Sequence, residues 1–161
     1  DAGQAMARLA EPSQGPQIEV VTPGLPVTTA SSDIHWRWRL QAAEWIAAHI
    51  DAERLGVNGL YIFGSANNAT AGPASDIDLL VHFRGSQVQR QELLTWLEGW
   101  SLALAEMNFD RTGFRTGGLL DVHLVTDEEI EKRVGFAAKI GAISDAARPL
   151  AIGSARRPKN D

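Results

Sequence analysis

Two aspartates stand one residue apart at the mouth of an apolar run, Ser75-Asp76-Ile77-Asp78-Leu79-Leu80-Val81-His82-Phe83. In an extended run, side chains two apart share a face at roughly 6.5–7 Å, so Asp76 and Asp78 point one way and Ile77 the other. Adjacent carboxylates repel, and burial adds to the cost of ionising each of them. The pair therefore demands positive charge, and the chain supplies none nearby: no Lys or Arg occurs between Arg54 and Arg84. A hard divalent cation, Mg²⁺ or Mn²⁺, answers that demand, because Mg²⁺ characteristically takes one or two carboxylates and leaves its other positions to water and phosphates. Upstream, Gly64-Ser65 follows a second apolar run and can bring backbone N–H groups and a hydroxyl to an anion. Downstream, Leu119-Leu120-Asp121-Val122-His123-Leu124-Val125 alternates in the same way, with Asp121 and His123 sharing a face. Beside the first pair, Asp121 would complete a three-carboxylate cluster. His123 reads as a polar neighbour rather than a ligand, and His82, about 13 Å beyond Asp78 by strand rise, is too far to ligate.

Such residues need strands to carry them and helices to cover the strands. Val57 to Phe63 reads as a first strand with Gly59 as a bulge or close approach, Ile77 to Phe83 as a second, and Leu119 to Val125 as a third. In the second strand Ile77, Leu79, Val81 and Phe83 form the apolar face, opposite Asp76, Asp78, Leu80 and His82. Ser31, Ser32 and Asp33 offer N-caps to a helix in which Trp36, Leu40, Ala43, Ala47 and Ile50 recur at helical spacing up to a stop at Gly56. Trp38 and Trp45 fall on a neighbouring stripe flanked by Arg37 and Arg39, which predicts aromatics at the core edge and solvated arginines. A short helix is expected at Ala66 to Ala69, and a long one from Gln87 to Met107 with Leu93, Leu97, Trp100, Leu104 and Met107 as its core stripe and Trp96 also in the core. A strand, crossover helix, strand order follows for part of the sheet. The stretch 108–118, with Arg111 and Arg115 among glycines, reads as an exposed hairpin, with a mobile phosphate clamp as the alternative. Thr126-Asp127-Glu128-Glu129 is a capping box that makes the acidic run a solvated helix start. Another helix is expected at Phe136 to Ala147, after which Pro149 and Gly153 end ordered structure.

A chain of 161 residues, 44% of them hydrophobic, can bury one α/β core but hardly two. Residues 1–30, rich in Pro, Gly, Gln and Thr, read as a linker or arm with one short strand at Ile18 to Val21; 31–150 form the domain and 151–161 a flexible tail. The absence of cysteine rules out a disulfide framework and a thiolate metal site. No transmembrane run or signal-peptide core is visible, so a soluble, cytoplasmic protein is the default expectation, with no membrane partner. A net charge of −5 argues against a long nucleic acid partner, which needs a basic stripe. The first residue is Asp rather than Met, which fits a processed protein or a piece of a longer one.

The order Gly64-Ser65, then Pro73-x-Ser75-Asp76-Ile77-Asp78, then Asp121 resembles the polymerase-β-type nucleotidyltransferases. The flanking residues are similar to those of aminoglycoside nucleotidyltransferases and of the minimal stand-alone members, and the resemblance runs from about Trp36 to Glu131. It implies an α/β nucleotidyltransferase fold, a small mixed β-sheet with helices packed mainly on one face. It further implies metal-dependent transfer of a nucleoside monophosphate from a nucleoside triphosphate, ATP by default, to a hydroxyl acceptor with release of pyrophosphate. Residue by residue, Gly64 and Ser65 would cradle the β and γ phosphates, Asp76 and Asp78 would hold two divalent ions, and Asp121 would share one ion and act as general base. Members commonly carry an arginine shortly after the Gly-Ser pair; Asn67 and Asn68 stand there in this chain and read as helix or turn chemistry. That departure, with no recognisable acceptor domain, leaves a second reading: a catalytically inactive module of the same fold that binds metal or nucleotide and regulates or docks a partner. Only about 35 residues follow Val125. The acceptor pocket is therefore expected to be completed by a homodimer partner or an attached domain, anchored at Trp38 or Trp45.

Overall fold

The computed structural model describes residues 27–156, with side chains from Ile34 onward. The strand expected at Ile18 to Val21 lies outside the described residues, and the strands that carry the aspartates belong to the compact unit Ser32–Asp161. Helix α1 spans Val27–His49. It starts before the expected caps at Ser31 to Asp33, which lie within its length, and it ends before Gly56. Asp51 breaks it by capping a separate short helix α2, Ala52–Leu55, whose Gly56 C-cap sits at φ 72° as a left-handed stop requires.

The strands fall where the apolar runs place them. β1 is Val57–Phe63, β2 is Ile77–Phe83 and β3 is Leu120–Val125. The β1–β2 register slips between Val57 and Gly59, so Gly59 marks the expected bulge. Between β1 and β2 the chain forms a single helical turn, α3, Gly64–Asn67, two residues earlier than anticipated. After β2, the Ser86 capping box opens α4, Gln87–Thr112, and Gly113 closes it. The crossover helix makes β2 and β3 parallel, whereas β1 and β2 are antiparallel. A fourth strand was not anticipated. Arg148–Pro149, β4, pairs antiparallel with Tyr61 and Ile62, giving the order β3-β2-β1-β4. Proline is tolerated there because an edge strand leaves one row of donors unused. Order also runs past Gly153, whose amide donates to Ala47, while Arg156 pairs with Asp51.

The sheet has two unequal faces. Leu60, Ile62, Ile77, Leu79 and Val81 pack with Ala43, Ile46 and Ile50 of α1 and with Leu93, Leu97 and Leu104 of α4, so the long helices cover one face as expected. Truncating any of the large aliphatic residues among these to Ala would cost about 2–5 kcal/mol. On the second face Phe63, Leu80 and Val125 meet Ala137 and Ala147. This smaller cover is not the helix expected at Phe136 to Ala147. Thr126 does cap α5, Asp127–Lys132, but beyond it only a 3₁₀ turn, Gly135–Lys139, forms. Gly141 and Asp145 take positive φ, which no continuing right-handed helix accommodates. Asp127 is also more than a solvated helix start, because Arg84 donates to it twice, at 2.7 and 3.1 Å, and His82 contacts it. Among the described residues, no helix is long and apolar enough to cross a membrane.

Candidate active site

The three aspartates meet at one end of the second face. In the parallel ladder Asp78 stands directly opposite Asp121, and across the antiparallel ladder it faces Phe63, the last residue before Gly64. Gly64 is required here twice over. Its φ is +71°, and a Cβ at this position would sit 2.1 Å from Asp78 Oδ2. The Gly-Ser turn and the carboxylate are thus in contact by construction, and any side chain at residue 64 would displace one of them.

Asp76 is not on the strand; it is the last residue of the connector before β2. What holds that connector is Arg39 of α1, wholly buried and not solvated as the sequence pattern predicts. Its Nε donates to the Ser75 carbonyl at 2.8 Å, and its Nη2 donates to the Pro73 carbonyl at 3.2 Å and to Asn108 Oδ1 at 2.9 Å. Asn108, equally buried on α4, donates from Nδ2 to the same Pro73 carbonyl at 2.9 Å. Both helices therefore grip the backbone one to three residues ahead of Asp76.

Both residues escaped the apolar pattern because they are polar members of apolar stripes. Arg39 continues the row Ala43, Ile46, Ile50, and Asn108 continues Leu97, Ser101, Leu104. The signal that could have found them is a polar side chain in a core position, which must have a buried partner. Ser101 obeys the same rule: its hydroxyl accepts from the amides of Leu119 and Leu120 and fixes the start of β3. Ser101 is buried beside Trp100, which packs partly buried against the core as expected, while Met107 lies 42% exposed. Trp38 is buried as well and cannot anchor an interface; Trp45 remains 38% exposed.

Electrostatics follow from this crowding. Burial, then the charge and hydrogen bond of Asp121, then the charge of Asp76, push Asp78 up to about 6, with His123 pulling slightly the other way. Asp76 is also raised, by burial and by Asp121, while the Arg39 charge opposes the shift. Arg39 is thus the counter-charge that the local sequence lacks. His123 lies with Nε2 3.2 Å from Asp121 Oδ2 and its ring 3.9 Å from the half-exposed ring of Phe136, as a polar neighbour should. His82 is turned to Asp127.

Asn67 and Asn68 are occupied by structure. Their amides donate to the Ala146 carbonyl and to Asp145 Oδ1, both at 3.1 Å, tying α3 to the loop that covers the second face. The arginines of 108–118 do not form a clamp, nor is the stretch a hairpin. Arg111 belongs to α4 and lies over Trp38, whereas Arg115 pairs with Glu106 and stacks on Phe109.

The donor set is all hard oxygen, and only a glycine at residue 64 lets the Asp78 carboxylate take its place against the turn. Among the described residues no group of three or more His, Asp or Glu is drawn together tightly enough to hold one ion. The facing pair Asp78 and Asp121 suits a cation of the Mg²⁺ type, which needs only one or two carboxylates.

No curated protein matches this chain in sequence. Among solved structures, a candidate nucleotidyltransferase from Sulfolobus solfataricus aligns with 63% of this chain and 79% of its own, at 19% identity and a TM-score of 0.38. The family comparison is the informative one. A model of the nucleotidyltransferase domain matches residues 49–143, more than half of the chain and a span that includes Gly64, Ser65, Asp76, Asp78 and Asp121, and on that match the chain belongs to the nucleotidyltransferase domain family.

Proposed function

We propose that the chain is a metal-dependent nucleotidyltransferase that moves a nucleoside monophosphate from a nucleoside triphosphate, ATP in the first instance, to a hydroxyl acceptor with release of pyrophosphate. The observation that carries this reading is the contact between the Gly64 turn and Asp78, with Asp121 directly opposite. A carboxylate pair against a turn with room only for glycine serves no packing purpose, and it costs electrostatic energy until a cation arrives. Two divalent ions, Mg²⁺ or Mn²⁺, held by Asp76 and Asp78 with Asp121 sharing one of them, would when bound lower the pKa of the acceptor hydroxyl and neutralise charge on the departing pyrophosphate.

The chain's own residues have separate tasks. Gly64 and Ser65 present backbone N–H groups and a hydroxyl to the phosphates of the donor. Asp121, half exposed at its side chain, is the carboxylate an acceptor oxygen can reach, and in this reading it takes the hydroxyl proton. Arg39 and Asn108 keep the Asp76 connector in place. In this reading the acceptor pocket is completed by a second copy or an attached domain, since such pockets usually form where two domains or subunits meet.

One observation favours the inactive-module reading: Asn67 and Asn68 spend their amides on the C-terminal loop, so that turn offers the triphosphate no cation. Thermal melting with Mg²⁺ or Mn²⁺, ATP, and both together separates the readings when paired with a labelled-nucleotide transfer screen. The enzyme reading expects the combination to raise Tm beyond either ligand alone, by linkage, and label to appear on a hydroxyl acceptor. Equal shifts with and without metal would remove the assigned site; a synergistic shift with no transfer to any acceptor would favour the module.

A further inference from the structure

Away from the aspartates, a cavity of about 200 Å³ opens between α1 and α4, lined chiefly by His35, Trp38, Arg39, Asn108, Arg111 and Thr112. Among the described residues no carboxylate lines it. Its charge is one-sided: the guanidinium groups of Arg39 and Arg111 lie 5.5 and 5.1 Å from the Trp38 ring centre, two cations on one indole. Arg111 pairs with no carboxylate among the described residues. The carboxylate whose charge favours Arg39 is Asp76, which is not in the lining.

The hydrogen-bond inventory is one-sided too. Asn108 spends its amide on Arg39 and Pro73, and the Thr112 hydroxyl donates to the Asn108 carbonyl at 2.7 Å. What remains on the lining side chains is mainly donor: the whole fork of Arg111 and the Arg39 Nη1, held only by a long 3.4 Å bond to the His35 carbonyl, beside a His35 imidazole that brings one donor and one acceptor nitrogen when neutral. Burial and the charges of both arginines lower the pKa of His35, as expected where positive charge lacks an answer.

We propose that this cavity is a binding site for one small oxyanion group, a phosphate or a carboxylate, separate from the Gly64-Ser65 turn. A guanidinium fork matches the paired oxygens of either anion, and an anion would neutralise two cations that otherwise repel. The volume falls below the ~300–1,000 Å³ of pockets that enclose a whole small molecule, so the ligand is a head group, with the rest of its carrier outside. Arg39 belongs both to this cavity's wall and to the grip on the Asp76 connector, so an anion held by Arg111 lies beside the residue that holds the aspartate loop.

The test is calorimetric titration of the full chain, in EDTA and at constant ionic strength, with inorganic phosphate in one arm and acetate in the other. Saturable one-site binding of at least one of them is expected; the arm that binds names the source. Arg111→Gln, an exposed position whose fold is checked by thermal melting, should weaken that binding about tenfold, the scale of one hydrogen bond to a charged group. Arg115→Gln and Ser65→Ala should leave it unchanged. Absence of saturable binding by both anions would overturn the site, as would equal losses in Arg111→Gln and Arg115→Gln. Loss in Ser65→Ala instead would move the anion to the Gly-Ser turn, sinking this proposal while leaving the transferase reading intact.

Discussion

The two ends of the β2–β3 ladder carry the same residue type in opposite conditions. At one end Asp78 faces Asp121 with Asp76 close by, and Asp78 is pushed up to about 6. At the other, Asp127 accepts twice from Arg84 and meets His82, and these bonds hold its carboxyl down at about 2. The far end is an acid answered by the protein's own bases, so it needs nothing from solution. The near end is a set of acids answered only in part, by Arg39 behind Asp76 and His123 beside Asp121. A carboxylate whose partners are already in the fold is structural; one still lacking charge is where a cation and its phosphates are expected.

The contrast breaks first, and by most, at Asp78. Asp78→Asn should cut transfer by about a thousandfold or more, on the scale of losing a principal electrostatic group, while apo stability at pH 7 stays level or rises because a repulsion is gone. Steady-state rates and melting curves on the same preparation check both halves, and a clear fall in Tm would make Asp78 structural after all. Next in size is Gly64→Ala, which combines a left-handed backbone with a collision at Asp78. It should cost about 1–3 kcal/mol in denaturant titration and lose metal-supported nucleotide binding as well.

Arg39→Lys keeps a positive charge but loses the fork that holds two carbonyls and Asn108. Leaving buried acceptors unpaired should cost about 1–3 kcal/mol. If Arg39 positions Asp76, kcat should fall with KM for the nucleotide little changed; equal loss in both would mark general loosening.

A pH series separates the two ends without mutation, given the sign of each shift. Asp78 holds its proton more tightly folded, near 6, than unfolded, near 3.8, so metal-free stability should decline as pH rises through that window. Asp127 is shifted the other way. Its contribution is present above about 4 and disappears as pH falls toward about 2. Asp78→Asn should flatten the first slope and leave the second, with Tm against pH as the readout. The smallest effect is Asp127→Asn at neutral pH: a slight drop in Tm that shrinks further in high salt, as exposed pairs do, with transfer unchanged.

Much was legible in the chain because it is local. Apolar runs and alternation located β1, β2 and β3 to within a residue, and the hydroxyl three residues ahead of Glu129 announced the start of α5. The aspartates and the Gly-Ser turn stood out because their types are costly where they occur. β4 was invisible: Arg148–Pro149 has no strand pattern of its own and is extended only because Tyr61 and Ile62 offer it an edge. The helix expected at Phe136 to Ala147 failed for a matching reason, since Lys139, Asn68 and the Ala146 carbonyl are satisfied by loop partners rather than by a helical ladder.

Residue type and spacing by themselves determined which carboxylates the strands would carry and in what parity, because side-chain direction along a strand depends only on the count of residues. The tertiary structure alone decided that β3 lies parallel beside β2 with Asp121 opposite Asp78, that Gly64 presses on that pair, and that Arg39, 37 residues before Asp76, reaches the connector ahead of it. Those are contacts between segments far apart in the chain, and the electrostatic cost that makes the cluster reactive exists only once burial brings them together.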